Sequence, residues 1–101
     1  MEAGVNQVDG KARIALTGRF DFNTHRAFRS ACEAPLNATD VREIEIDFSA
    51  VDALDSSALG MLLLLREKAE RAHKTVALAN CRGVVKQVLD IANFAKLFPI
   101  R

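Results

Sequence analysis

The sequence predicts an α/β domain in which about three helices pack on one face of a mixed sheet of four to five strands. Two short alternating segments flank Asp9-Gly10, a dipeptide typical of a type I′ hairpin turn. Strand and helix patterns alternate after this hairpin, which favours parallel pairing with right-handed crossovers. Residues 43–48 alternate charged and apolar side chains, whereas strands covered on both faces are continuously apolar. We therefore expect helices on one face only.

The first third of the chain contains the predicted hairpin and one helix. Residues 5–8 and 12–17 form the two strands, and Ile14 and Leu16 point towards the core. Residues 18–22 are expected to leave the sheet. Asn23 or Thr24 then caps a helix that runs to about residue 34, with Phe28, Ala31 and Cys32 as its buried stripe. Pro35 is expected to end it.

The rest of the chain supplies the parallel strands. A polar connection over residues 36–40 leads to a strand over 41–48, and a short loop follows. A helix over 58–73, a strand over 75–79, a helix over 83–92 closed by Asn93, and a short edge strand over 96–100 complete the pattern. The face without helices is expected to be solvated, and it carries Arg13, Thr17, Glu43, Glu45, Asp47 and Thr75.

Composition excludes several classes of function. At 101 residues the chain is expected to be a single domain over 1–101, with a core built mainly from aliphatic side chains. A net charge of +1 argues against nucleic acid as a partner. No apolar run reaches the length of a membrane span. Because the N-terminal residues lack the pattern of a secretory signal and the cysteines lie among apolar residues, we expect a cytoplasmic protein.

Motifs for enzyme chemistry are missing from the sequence, so neither a catalytic residue nor a cofactor is expected. There is no glycine-rich phosphate loop and no cluster of metal ligands. A metal site that pairs His25 with Cys32, or His73 with Cys81, stays open if the fold brings these residues together. Ser56 lacks the Gly-x-Ser-x-Gly surroundings of a hydrolase nucleophile. A serine with no evident base is more readily a substrate than a nucleophile.

The stretch over residues 47–60 is the candidate functional site, because an alternating strand here gives way to a long helix. Asp55 and Ser56 lie where an N-cap belongs, and a short side chain with an acceptor oxygen is favoured there on structural grounds alone. The positive end of a helix dipole also tolerates a phosphate, so Ser56 and Ser57 can be read as modification sites.

Two motifs resemble the STAS domain family, the bacterial anti-sigma factor antagonists. One is Asp55-Ser56-Ser57-Ala58-Leu59-Gly60, in which Ala58 stands where the family usually has glycine. The other is Leu16-Thr17-Gly18-Arg19-Phe20-Asp21, which is similar to that family's passage from strand to helix. The order of predicted elements matches from about residue 5 to the end. The resemblance therefore implies a STAS-like fold for nearly the whole chain.

The resemblance also implies a function in partner switching. The unmodified domain would bind an anti-sigma factor, typically a serine kinase of the histidine-kinase-like ATPase fold, and so regulate transcription. Phosphorylation of Ser56 by that kinase would release it, and a PP2C-type phosphatase would restore it. The alternative is a STAS-type accessory subunit of a lipid or anion transport complex, which binds its partner without obligate phosphorylation.

Several residues are expected to contact the partner. These are Asp21, Asp55, Ser57, Ala58, Leu59, Gly60 and Leu63. Ordinary core packing explains Leu59, Gly60 and Leu63 equally well, since a helix buries such a stripe anyway. Phe20 and Phe22 form either an exposed contact patch beside the site or a hydrophobic staple of the first helix onto the core.

Overall fold

A computed structural model describes all residues of the chain, 1–101, as one mixed sheet with three helices. Four strands lie in the order β1-β2-β3-β4; β1 pairs antiparallel with β2, and the remaining pairs are parallel. The strands are β1 (Glu2–Val8), β2 (Lys11–Phe20), β3 (Glu43–Leu54) and β4 (Thr75–Ala79). The helices are α1 (His25–Asn37), α2 (Ser56–Arg71) and α3 (Gly83–Ile91). The predicted fold class is confirmed.

The opening hairpin turns at the predicted dipeptide. Asp9 has a φ of 51° and Gly10 a φ of 81°, and these two left-handed residues define a type I′ turn. Val8 pairs with Lys11 directly across the turn, so the register is set there. Ile14 and Leu16 are buried, as the alternation in β2 predicts.

Strand β2 is longer than the sequence predicts. It continues through Gly18 to Phe20, so the expectation that residues 18–22 leave the sheet is wrong for their first part. The parallel register with β3 shifts between Ala15 and Thr17 and again between Gly18 and Arg19, and Gly18 has a φ of 86°. Such irregularities let the strand bend while it keeps its pairing. The extension carries the end of β2 to the candidate site.

Strand β3 also runs further than predicted, to Leu54 rather than Phe48. Strand β4 pairs with it only as far as Asp47, opposite Ala79. The second half of β3 therefore pairs with β2 alone, up to Phe20 opposite Leu54. The sequence does not indicate this half of the strand, because Ser49 and Ala50 interrupt the alternation of polar and apolar residues; in the structure both are exposed.

Helix α1 passes through Pro35, so the expectation that this residue ends the helix is wrong. Only two helical residues, Leu36 and Asn37, follow Pro35, and its missing N–H removes the single bond that would go to the Ala31 carbonyl. The Ala38 N–H still donates to the Ala34 carbonyl at 2.9 Å. Pro35 itself is buried, and this packing offsets part of the lost helical bond.

The core lies between the helices and one face of the sheet. Twenty-one buried residues form a single cluster. Phe20 packs against Phe28 of α1 with ring centres 4.8 Å apart, and against Phe48 of β3 at 6.4 Å. Helix α2 contributes Ala58, Leu62, Leu65 and Ala69. Aliphatic packing around a few phenylalanines therefore holds the domain together, as the composition predicts.

The sheet face without helices is less solvated than predicted. Glu45 and Asp47 are buried, with 4 % and 9 % exposure, because cations cover them. Lys11 and Arg101 approach Glu45 at 2.9 and 3.0 Å, and Arg13 approaches Asp47 at 3.3 Å. Period-2 alternation predicts which face a carboxylate occupies, but it does not predict that neighbouring strands supply long cations to cover it.

The C-terminal segment forms only part of the predicted edge strand. Residues Phe94–Lys96 form a 3-10 turn after Asn93, which has a φ of 58°. A single parallel bridge then joins Ile100 to Leu78, and the Arg101 N–H donates to the Leu78 carbonyl at 2.7 Å. None of the helices combines the length and apolar character that crossing a membrane requires.

Candidate functional site

Asp55 is the N-cap of α2. Its backbone is extended, with φ −113° and ψ −177°, and its Oδ1 accepts a hydrogen bond from the Ala58 N–H at 3.0 Å. Its carbonyl accepts from the N–H groups of Ala58 and Leu59. Asp55 therefore satisfies first-turn amides that would otherwise lack an acceptor. Of the two cap candidates, Asp55 takes the capping role, which leaves the Ser56 side chain free.

The end of β2 lies directly beside this cap. The Asp55 N–H donates to the Phe20 carbonyl at 3.3 Å, so Asp21 and Asp55 follow adjacent paired strands. Asp21 caps the 3-10 turn Phe22–Thr24, and its Oδ1 accepts from the Asn23 N–H at 3.0 Å. Of the two predicted caps, Thr24 does occupy the N-cap position of α1, but its side chain makes no capping bond to that helix. The Thr24 Oγ1 instead accepts from the Asp21 N–H at 3.0 Å, and Asn23 lies within the 3-10 turn. The two acidic caps form one edge of the candidate site.

Ser56 is exposed at the first position of α2. Its hydroxyl makes no hydrogen bond within the chain, and Asp55 directs its own carboxylate to Ala58 instead. The backbone N–H groups of Ser56 and Ser57 also have no acceptor within the chain. The side chain of Ser57 is half-buried. An accessible hydroxyl beside free helix N-terminal amides can take a phosphate with little change to its surroundings.

The first two turns of α2 expose small and apolar residues next to Ser56. Gly60 is exposed, and a methyl group added there would meet no atom within 4 Å. Leu63 is 41 % exposed one turn further on, and Leu59, which precedes Gly60, is half-buried. These residues can be reached from outside the molecule.

Ala58 differs from its neighbours and corrects one expectation. Its side chain is completely buried, because it faces the sheet. Ala58 therefore cannot contact a partner, and its small size serves the packing of α2 against the core instead.

The two phenylalanines before α1 have separate environments. Phe20 is fully buried in the aromatic cluster of the core. Phe22 is 64 % exposed and stacks on the His25 ring, whose centre is 5.2 Å away, while the His25 Nδ1–H donates to the Phe22 carbonyl at 2.8 Å. Only Phe22 can therefore belong to an exposed contact patch.

The cysteines and histidines belong to no larger cluster of metal ligands. No group of three or more His, Cys, Asp or Glu side chains is placed to hold a metal ion. Burial raises the pKa of Cys32 to about 12 and that of Cys81 to about 11. Neither cysteine forms a disulfide. Because their pKa values lie well above 7, both thiols are protonated near neutral pH and are weak nucleophiles.

The sequence reasoning missed an exposed apolar pair on α3. Val84 is 55 % exposed and Ile91 is 84 % exposed. They lie seven residues apart and beside the buried residues of the same helix, Val85 and Leu89. Their helical spacing alone could have revealed a second apolar face. Helix α3 begins beyond the carboxyl end of β4, so Val84 lies towards the same edge of the sheet as the start of α2.

Comparison with known proteins identifies the family. Residues 3–99 match a family model described as "Mlab, STAS domain". The chain belongs to the STAS family. It is also 46 % identical over 87 residues to a STAS-domain containing protein of Pseudomonas aeruginosa (strain UCBPP-PA14), which covers 86 % of this chain and 84 % of that protein.

Solved structures share this STAS fold. An anti-sigma factor antagonist from Mycobacterium paratuberculosis has a TM-score of 0.85 at 23 % identity, covering 97 % of this chain and 82 % of that one. The phosphorylated form of the Bacillus cell fate determinant SpoIIAA has a TM-score of 0.73 at 17 % identity, covering 98 % and 90 %. A sulfate transporter family protein from Wolinella succinogenes has a TM-score of 0.73 at 13 % identity, covering 87 % and 70 %. At these identities the likeness concerns the fold.

Proposed function

We propose that this STAS domain is an anti-sigma factor antagonist that phosphorylation of Ser56 switches off. The observation that carries the proposal is the free, exposed Ser56 hydroxyl at the start of α2, beside the surface of Gly60 and Leu63. Structural neighbours that are anti-sigma factor antagonists, one of them known in a phosphorylated form, support it. In its unmodified state the domain binds an anti-sigma factor and so regulates transcription.

A phosphate on Ser56 is compatible with the fold. It adds roughly −1.5 to −2 charges at neutral pH. The unsatisfied N–H groups of Ser56 and Ser57 and the helix dipole stabilise such a charge by up to about 1 kcal/mol at an exposed site. The carboxylate of Asp55 opposes it by a comparable amount, so the net effect on the free energy of unfolding is small. The switch therefore acts on binding rather than on folding.

A docked partner experiences the phosphate differently. If Ser56, Gly60 and Leu63 lie within an interface, the added charge must be desolvated there or must face the partner's own groups. A penalty of about 3 kcal/mol weakens binding by more than a hundredfold. Release then follows without any change in the shape of the domain.

The proposed partners follow from this cycle. The anti-sigma factor is a serine kinase of the histidine-kinase-like ATPase fold, which both binds the domain and phosphorylates it. A PP2C-type phosphatase removes the phosphate. The domain itself supplies the accepting hydroxyl and performs no catalysis, and the cycle operates in the cytoplasm.

Phosphate mapping tests the modification directly. Incubation with the cognate kinase and ATP, followed by peptide mass mapping, is expected to place a single phosphate on Ser56. A Ser56→Ala variant should accept none, whereas the matched Ser57→Ala variant should be modified as the parent is. Phosphate found on Ser57 instead, or on both variants equally, would overturn the assignment.

A second function is an accessory subunit of a lipid or anion transport complex. The likeness to a sulfate transporter family protein favours it, because the same helix start could dock permanently in such a complex. This alternative predicts a stable complex that survives phosphorylation of Ser56. Co-purification of the unmodified and phosphorylated chains with membrane proteins distinguishes the two functions, since only the switch loses its partner.

A further inference from the structure

A small apolar cavity lies between α1 and α2, on the side of α2 that faces α1. Its volume is about 120 Å³. Phe28, Cys32 and Leu36 line it from α1, and Met61 and Leu65 line it from α2. Leu64, which is 45 % exposed, stands at its opening. The cavity is thus an apolar recess that reaches the surface.

Two cations at the cavity have no partner of opposite charge. Arg29 of α1 and Lys68 of α2 both line it, and neither approaches a carboxylate within 4 Å. Other exposed cations of α2 and α3 are paired, for example Arg71 with Glu67 and Lys86 with Asp90. One carboxylate, Glu33, shares the lining and is also unpaired. The lining therefore carries two cationic side chains and one anionic side chain, a net positive charge that favours an anionic ligand.

The size of the cavity restricts what can enter it. An apolar cavity of about 150 Å³ in another protein stays dry and binds benzene. A recess of about 120 Å³ therefore accepts an aromatic ring or a few methylene groups, with the remainder of the molecule at the opening. Ligand sites commonly combine such an apolar wall with a few convergent polar groups.

We propose that this recess binds a small carboxylic acid that carries a ring-sized apolar group. The apolar group enters between Phe28, Met61 and Leu65, and the carboxylate lies at the opening with Arg29 and Lys68. The site is separate from Ser56, which lies at the N-terminal end of α2, whereas Lys68 lies near the other end.

Phenylacetate is the probe that tests the proposal, with the full chain observed by amide NMR spectroscopy. Saturating shifts are expected at Phe28, Cys32, Met61 and Leu65. Phenylacetamide has the same shape without the charge, and it should bind about threefold more weakly, the effect of one partly exposed ion pair. Acetate has the charge without the ring and should cause no saturating shift at these amides.

Matched variants separate the cavity from the general surface. Leu64→Trp fills the opening and should abolish the shifts, whereas Leu63→Trp on the same helix lies outside the lining and should preserve them. Lys68→Gln should weaken phenylacetate but leave phenylacetamide unchanged, and Lys96→Gln should affect neither. Three results would each overturn the proposal. They are equal affinity for phenylacetate and phenylacetamide, shifts that persist in Leu64→Trp, and no saturation with phenylacetate up to about 20 mM, roughly twentyfold above a millimolar dissociation constant.

Discussion

Replacing Asp55 by alanine should lower the stability of the domain by about 1 kcal/mol, within the 0.5–2 kcal/mol range of lost N-caps. The structure supplies the reason, because Asp55 Oδ1 accepts from the Ala58 N–H at 3.0 Å. For a domain of this size the loss corresponds to a fall in melting temperature of roughly 4–8 °C. Urea denaturation and calorimetry measure both quantities.

Two matched variants make this measurement decisive. Asp55→Asn keeps an acceptor oxygen and should stay within about 0.5 kcal/mol of the parent, since asparagine caps as well as aspartate. Asp52→Ala removes a nearby exposed carboxylate that makes no hydrogen bond, and such surface changes usually stay within about 0.5 kcal/mol. The reasoning fails if Asp55→Ala and Asp52→Ala are equally stable, because the cap would then contribute nothing.

Three further perturbations probe other parts of the structure. A hydrogen bond from the Arg101 guanidinium lowers the pKa of Glu43. Burial raises the pKa of Glu45, but hydrogen bonds from Lys11 and Arg101 lower it overall. The free energy of unfolding should therefore be constant above about pH 5 and fall as these carboxylates are protonated below their unfolded pKa near 4.3. Lys74→Met should cost about 1–3 kcal/mol in urea denaturation, because the buried Lys74 ammonium donates to the carbonyls of Ala38 and Val41. Gly60→Ala should raise stability by up to about 1 kcal/mol, since helix propensity improves and nothing obstructs the methyl group, yet calorimetry should show weaker binding to the proposed partner.

Each of these three predictions has an outcome that contradicts it. Stability that stays constant from pH 6 to about pH 3 would show that the carboxylate network contributes nothing. Lys96→Met is the exposed control for Lys74→Met, and equal effects of the two would contradict a role for the buried ammonium. A Gly60→Ala variant that binds the partner as tightly as the parent would place Gly60 outside the interface.

Local patterns in the sequence were enough to predict much of the fold. Asp9-Gly10 specified the hairpin turn, because few residues adopt two successive positive φ angles. Strand β4 was predicted at its observed bounds. Asp55 was predicted as a cap of α2, although the helix begins at Ser56, two residues before the predicted start at residue 58. The accessibility of Ser56 also agrees with its predicted place at a helix start.

Contacts between distant segments explain where the sequence reasoning failed. The second half of β3 exists because β2 pairs with it as far as Phe20, and no pattern within β3 reports that pairing. Glu45 is buried because Arg101, 56 residues away, covers it. The burial of Ala58 and the continuation of α1 through Pro35 likewise depend on packing against neighbouring elements. Periodicity describes one element at a time, so it cannot predict features that depend on contacts between elements.

The most direct test of the proposed switch is calorimetric titration of the cognate anti-sigma factor kinase with two forms of this chain. One form is unmodified, and the other carries phosphate on Ser56, with circular dichroism confirming that both are equally folded. We expect the phosphorylated form to bind more than a hundredfold more weakly, and phosphatase treatment to restore the original affinity. Equal affinity of the two folded forms would contradict the account.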